Sequence, residues 1–203
     1  MEPSASPGLL MRAHSGATYR FDPGALCLEL LTTGGPGEFR RYETLHAPED
    51  LAAWAERSRL TPTPVLEVSE DDVAHARRLR DALFRVTTAL AEGAGATPAD
   101  LDTLNEAAAH PPLVPAVGPD GGRRWARGSH GAGLLSTVAR DAVDLLTGPF
   151  AHRVRVCASD NCFLIYVDTS RPGRRRWCSM EHCGNLHKVR TLRARRAADE
   201  RDG

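Results

Sequence analysis

The sequence predicts an α+β protein, mainly α. A helical N-terminal domain with a small β element is followed by a treble-clef-like finger that holds four cysteines and ends in a basic helix. Three observations predict this. Apolar residues recur at three- and four-residue steps through capped segments of the first 148 residues, the period of a helix with one buried face. Four of the five cysteines fall within residues 157–183, as C-x(4)-C-x(15)-C-x(4)-C. Charge is divided as well: residues 151–203 carry 12 basic and 6 acidic side chains, a net of +6, and residues 1–150 carry 14 and 20, a net of −6.

The 203 residues suffice for one domain of ordinary size plus a small appendage. A tail of about 50 residues cannot easily bury a core of its own, and a metal is the common remedy. Residues 1–17, rich in Pro, Gly and Ser, are expected to be disordered. Residues 18–148 are expected to form the helical domain, 152–198 the finger and 199–203 a flexible tail. No run of about 18 apolar residues occurs, so no membrane span is expected and the cytoplasm is the default location.

Asp22-Pro23-Gly24 is a turn into the apolar run Ala25–Leu31, which suits a short buried strand or a first helix equally. Cys27 within it reads as a buried thiol. Gly34-Gly35-Pro36-Gly37 is a loop. Pro48 at a first helical position, with Glu49 and Asp50 at the dipole end, opens a helix that buries Leu51, Trp54 and Leu60. Ser69 with Asp72 is a capping-box start. A long helix follows to Glu92, with Val73, Ala76, Leu79, Leu83, Val86 and Leu90 as its stripe. Arg77, Arg78, Arg80, Asp81 and Arg85 read as a solvated face. Thr97-Pro98-Ala99-Asp100 starts another helix with Leu101, Leu104 and Ala108 inward. Residues 113–117 and 123–127 flank a glycine-rich turn and read as a hairpin. Residues 129–147 form the last helix of this domain, stopped by Gly148-Pro149. Val154–Cys157 and Phe163–Val167 are short strands, and Leu186 to Ala198 is a basic helix.

Two matched cysteine pairs across a short connector are what a tetrahedral zinc site requires, each pair closing a knuckle on one side of the metal. Cys157, Cys162, Cys178 and Cys183 are the expected ligands of one structural Zn2+. Two disulfides suit a small secreted domain, but there is no apolar signal segment and Cys27 is unpaired. Iron–sulfur clusters use other spacings. With four protein ligands the metal would hold the fold and leave no position for a reactive water.

The residues around the pairs read FLIYVDTS from Phe163 to Ser170 and RRRWCSMEHCGNLHK from Arg174 to Lys188. This stretch resembles the CGNR zinc-finger family. That resemblance implies an N-terminal ABATE domain and a role in stress-linked transcription regulation. The apolar run ending in Thr and the D-L-x-x-W of Asp50–Trp54 resemble the ABATE domain in the same way. One departure stands out: the motif's final Arg is Leu186 here, which puts whatever that Arg does in question at this position.

The basic helix and the arginines before the second knuckle are the functional candidates. Guanidinium forks suit phosphate oxygens and guanine edges. Arg174, Arg175, Lys188, Arg190 and Arg193 are the expected nucleic-acid contacts, with Arg176 reserved for pairing with Asp168 or stacking on Trp177. Asp168, Ser170, Trp177 and Asn185 are expected to support the knuckle. There is no G-x-S-x-G, phosphate loop or dinucleotide fingerprint, so no enzyme is expected. The favoured reading is a DNA-binding transcription regulator whose helical domain serves dimerisation or senses a small-molecule effector. The alternative is a zinc-stabilised protein-interaction or RNA-binding module. A DNA reader with one small finger should be dimeric or tandem, hence a homodimer.

Overall fold

Caps and turns in the sequence set the element boundaries. The computed structural model describes residues 8–13 and 16–202, with the side chains of 197–202 outside the description. Leu9–Arg12 (β1) and Thr18–Phe21 (β2) pair antiparallel. The expected disorder over residues 1–17 therefore does not hold for β1, and residues 1–7, 14 and 15 lie outside the described residues. Leu9 lies opposite Phe21 and Met11 opposite Tyr19. These cross-strand pairs give the hairpin one apolar face, which composition alone conceals.

The run whose type was open is helical: Leu26–Leu30 (α1), every residue buried, continuing as a 3-10 turn to Thr33. A second 3-10 segment spans Gly37–Tyr42. Pro48–Arg57 (α2) starts where Asp50 accepts the backbone N–H groups of His46 and Ala47. Leu66–Glu67 (β3) precedes Glu70–Ala91 (α3), whose Ser69 and Asp72 cap one another. Pro98–Ala109 (α4) has Thr97 as its cap. Pro115–Val117 (β4) and Arg123–Trp125 (β5) form the expected hairpin. Ser129–His130 (β6) pairs parallel with β3 and leads into Gly131–Thr147 (α5). Val154–Val156 (β7) and Ile165–Val167 (β8) pair antiparallel, and Asn185–Asp202 (α6) ends the description.

The main core lies where α1, α3, α4 and α5 meet. The predicted stripe of α3 is buried from Val73 to Val86, with Leu90 half-buried. Two expectations change. Leu101 is exposed, because α4 turns Asp100 and Leu104 inward and Asp100 takes the guanidinium of Arg85. The charges of α3 are not all a solvated face. Arg80 is only 1% exposed and donates to both oxygens of Glu43, to Asp81 and to the Thr33 carbonyl.

The finger's hairpin belongs to that core. Val154, Ile165 and Val167 are buried in one cluster with Leu30, Leu83 and Val138. The Val167 amide donates to the Pro23 carbonyl at 2.8 Å, so the turn that launches α1 also binds β8. A second cluster gathers Phe21, Tyr166 and three of the paired cysteines. No described helix is long and apolar enough to cross a membrane.

Candidate metal centre and basic helix

The β7–β8 ladder delivers the first cysteine. The Cys157 amide continues it by donating to the Leu164 carbonyl at 3.0 Å, and the Cys162 amide closes the knuckle on the Ser159 carbonyl at 2.9 Å. The second knuckle is tied to the first twice: Ala158 N–H reaches the Arg176 carbonyl, and Cys178 N–H points at Cys157 Sγ, 3.3 Å away. After Cys178 the chain widens into a π-turn, Met180–Gly184, that carries Cys183 inward. Gly184 keeps this turn close to its neighbours: a Cβ would lie 2.9 Å from Met180 Sδ and 3.4 Å from Trp177 Cδ1, and the Met180 side chain would have to move aside.

All four sulfurs lie within 4.8 Å of one another, and Cys178 Sγ is 3.6 Å from that of Cys162 and 3.5 Å from that of Cys183. A tetrahedron of sulfurs at the zinc–thiolate bond length has edges of about 3.8 Å. The set fits one structural zinc in size, chemistry and burial. Electrostatics point the same way. Hydrogen bonds from the neighbouring Cys162 and Cys178 thiols and from the Cys178 amide lower the Cys157 thiol. Donating those bonds pushes Cys162 and Cys178 up, and burial pushes Cys183 up. Four thiolates repel one another here unless a cation neutralises them, which is what zinc does. All five cysteines are free thiols, with Cys27 buried as expected.

Asp168 is fully buried. Its carboxylate accepts the Ser170 amide and hydroxyl and the Arg175 amide, so it shapes the loop between the knuckles. Burial works against its charge, but these bonds and nearby Arg153 outweigh it and hold the carboxyl below its usual range. Trp177 packs between Arg176, 5.1 Å from its ring centre, and His187, 4.6 Å away. Asn185 Nδ2 donates to the Glu181 carbonyl and binds the helix start to the π-turn.

Arg175 departs from expectation. Its guanidinium donates to the Trp177 and Cys178 carbonyls and lies 4.2 Å from the Tyr166 ring centre, while the Tyr166 hydroxyl donates to the Arg175 carbonyl. It braces the second knuckle. Arg176, not Arg175, is the exposed neighbour, stacked on Trp177 and unpaired with Asp168.

Around α6 the side chains divide. His187, Arg190, Thr191 and Ala194, spaced by three and four, line a cleft of about 420 Å³ against the first knuckle. Arg190 faces Asp160 there at 3.4 Å. The other side carries Lys188, Arg193, Arg195 and Arg196, all exposed, interleaved with Leu186, Val189 and Leu192 at 42%, 45% and 51% exposure. Among the described residues no carboxylate pairs with those four cations. Leu186, which stands where the motif has Arg, is exposed.

Sequence reasoning missed the N-terminal hairpin's part in the site. The ring of Tyr19 stacks on His182, centroids 4.4 Å apart and planes within 10°. The signal was the alternation in Thr18–Phe21.

Two family models match the chain. One, described as "Putative stress-induced transcription regulator" and named ABATE, covers residues 24–149, and the CGNR zinc finger covers residues 153–196. A search of curated proteins finds no match.

Proposed function

The chain belongs to the ABATE family and carries a CGNR zinc finger, and from that premise we propose that it regulates transcription by reading DNA with the outer face of α6. One observation carries this reading. A helix that begins two residues after the last zinc ligand presents four exposed cations on one side. Zinc, the π-turn and the Asn185–Glu181 bond aim that helix, so its cations arrive preorganised at a phosphate backbone. Lys188 and Arg193 are the central contacts, with exposed Arg174 beside the second knuckle as a further phosphate ligand. Arg190 contributes only after leaving Asp160. Arg175 acts through the fold. Leu186, Val189 and Leu192 offer apolar contact to thymine methyls between the cations.

One finger covers few base pairs, so a specific reader is a homodimer, with the helical domain available for dimerisation and for sensing an effector. The second reading, an RNA-binding or protein-docking finger, draws on the same exposed leucines and valine, which suit stacked bases or an apolar partner.

Zinc-loaded protein titrated with a duplex pool at two salt concentrations tests the proposal. Six neutralised phosphates give a log–log salt slope of roughly −5. Sequence-selective duplex binding with a steep slope supports the regulator. Tighter binding to single-stranded RNA than to any duplex moves the assignment to the second reading.

A further inference from the structure

The β4–β5 hairpin carries a charge that does not match the domain beneath it. Residues 1–150 have a net of −6, yet residues 113–130 hold three arginines against one acid. Arg123, Arg124 and Arg127 are all exposed. Elsewhere in the domain Arg59, Arg80 and Arg85 are engaged by Glu29, Glu43 and Asp100. Among the described residues no carboxylate lies within ion-pair distance of the three hairpin arginines, and none of their side chains donates a hydrogen bond. The one acid of this stretch, Asp120, turns back on the Gly122 amide at 3.0 Å.

The ribbon that bears these cations is held stiffly. Trp125 lies opposite Pro115 and sends its indole N–H to the Pro62 carbonyl, which ties the ribbon to the chain ahead of β3. Ala126 N–H reaches the Val114 carbonyl at 2.8 Å and Gly118 N–H the Gly122 carbonyl at 2.7 Å, so base and tip are both closed. The Arg123 guanidinium lies over the Trp125 ring, 4.9 Å from its centre. Stacking engages the face of a guanidinium and leaves its N–H rim open to oxygens. Arg123 and Arg124 are consecutive on one strand, so they leave opposite faces of the ribbon.

We propose that this ribbon is a second nucleic-acid contact, gripping the phosphate backbone of the duplex that α6 reads. Clustered guanidiniums without acids select a polyanion. A two-stranded ribbon is narrow enough to enter a duplex groove, and a cation on each face meets phosphates on either side. A bilayer fits less well. The tip, residues 118–122, carries Asp120 and no large apolar side chain, and the Trp125 indole is already tied to Pro62. The ribbon stands near the start of α5, where Leu113 N–H bonds the Gly133 carbonyl at 3.2 Å, and the finger follows the end of α5. The 17 residues of that helix span about 25 Å, or about seven base-pair steps of duplex. The ribbon therefore lengthens the footprint of a single finger. Its partner rests on the proposed DNA reading, and its cations do not.

The test uses full-length, zinc-loaded protein and a duplex long enough for both contacts, about 20 base pairs. Three further neutralised phosphates steepen the log–log salt slope from roughly −5 to roughly −8. Arg123→Ala, Arg124→Ala and Arg127→Ala together should return it to roughly −5, with zinc content unchanged. The pair Arg124→Ala and Arg127→Ala leaves the stack on Trp125 intact and should make the slope shallower by about 2, whatever the triple variant does to folding. Lysine at all three positions should restore most of the slope, because charge releases the counterions. The proposal is overturned if the paired variant keeps the parent's slope, and a loss of slope in Lys188→Ala in the same assay would then leave α6 as the reader. A loss of slope in the paired variant with none in Lys188→Ala or Arg193→Ala would fail the α6 reading and keep the ribbon. A parent that binds no duplex fails both. Effects of the paired variant on single-stranded RNA alone overturn the duplex assignment.

Discussion

The carboxylate of Asp168 accepts the backbone N–H of Arg175 at 2.8 Å, and the Arg175 side chain goes on to the carbonyl of the zinc ligand Cys178. One buried acid thus reaches the metal through one arginine. Asp168→Ala leaves the Ser170 and Arg175 amides without their partner, a loss of about 1–3 kcal/mol in stability. Zinc affinity should fall about tenfold or more, as when other groups that orient metal ligands are removed. Chelator competition and denaturant melts measure the two effects separately.

Removing the metal should act on more than the finger. Cys178→Ser is expected to reduce zinc from one per chain to none. Because β7 and β8 are buried in the main core, their loosening should lower the melting temperature of the helical domain as well. Metal analysis paired with calorimetry checks this, and an unchanged helical transition would count against it.

Arg80 is the buried hub of the helical domain. Arg80→Ala leaves Asp81 without its partner and Glu43 with only the longer contact to Arg77 at 3.8 Å, and truncating one partner of a buried ion pair costs about 3–5 kcal/mol. Arg80→Leu paired with Glu43→Leu should recover much of that loss in urea unfolding.

Glu43 gives this hub a pH dependence. Burial raises its carboxyl pKa, but the hydrogen bonds from Arg80 and the Leu45 amide outweigh burial and bring it below the usual carboxylate range. A carboxyl lowered by folding stabilises above its unfolded pKa of about 4.3 and loses that contribution as pH falls through its folded value. The stability gap between the parent and Glu43→Gln should be full at pH 6–7 and close below about pH 4.

On α6, Lys188→Ala and Arg193→Ala should each make the salt slope of duplex binding shallower by about 1. Arg190→Ala should change it less, because Asp160 already holds Arg190. Equal effects at all three positions would mean that the Asp160 pair opens freely on binding.

Much of this was legible in the sequence, and the exceptions share a cause. The caps at Ser69 and Thr97, the stripe of α3 and the two cysteine knuckles follow from local spacing, and the chain adopts them. Leu101, Arg80 and Arg175 read differently because long-range partners decide them. Asp100 turns α4 towards Arg85, Glu43 comes from 37 residues away to bury Arg80, and Tyr166 receives the Arg175 guanidinium on its ring. The β1–β2 hairpin was hidden for a related reason. Its apolar face is worth forming only when the finger is there to receive Tyr19 and Phe21, and no window of local sequence contains that partner.

The bond from the Val167 amide to Pro23, with Val154, Ile165 and Val167 packed against helix residues, has a consequence for anyone cutting this protein apart. A protease nick at Gly148–Pro149 would break the chain and leave the halves clasped. A fragment starting there would carry a bare greasy edge and lack the Tyr19 lid over His182. The finger is therefore a poor cassette for transplanting, and any torque on α6 is delivered to a body that it cannot swing away from.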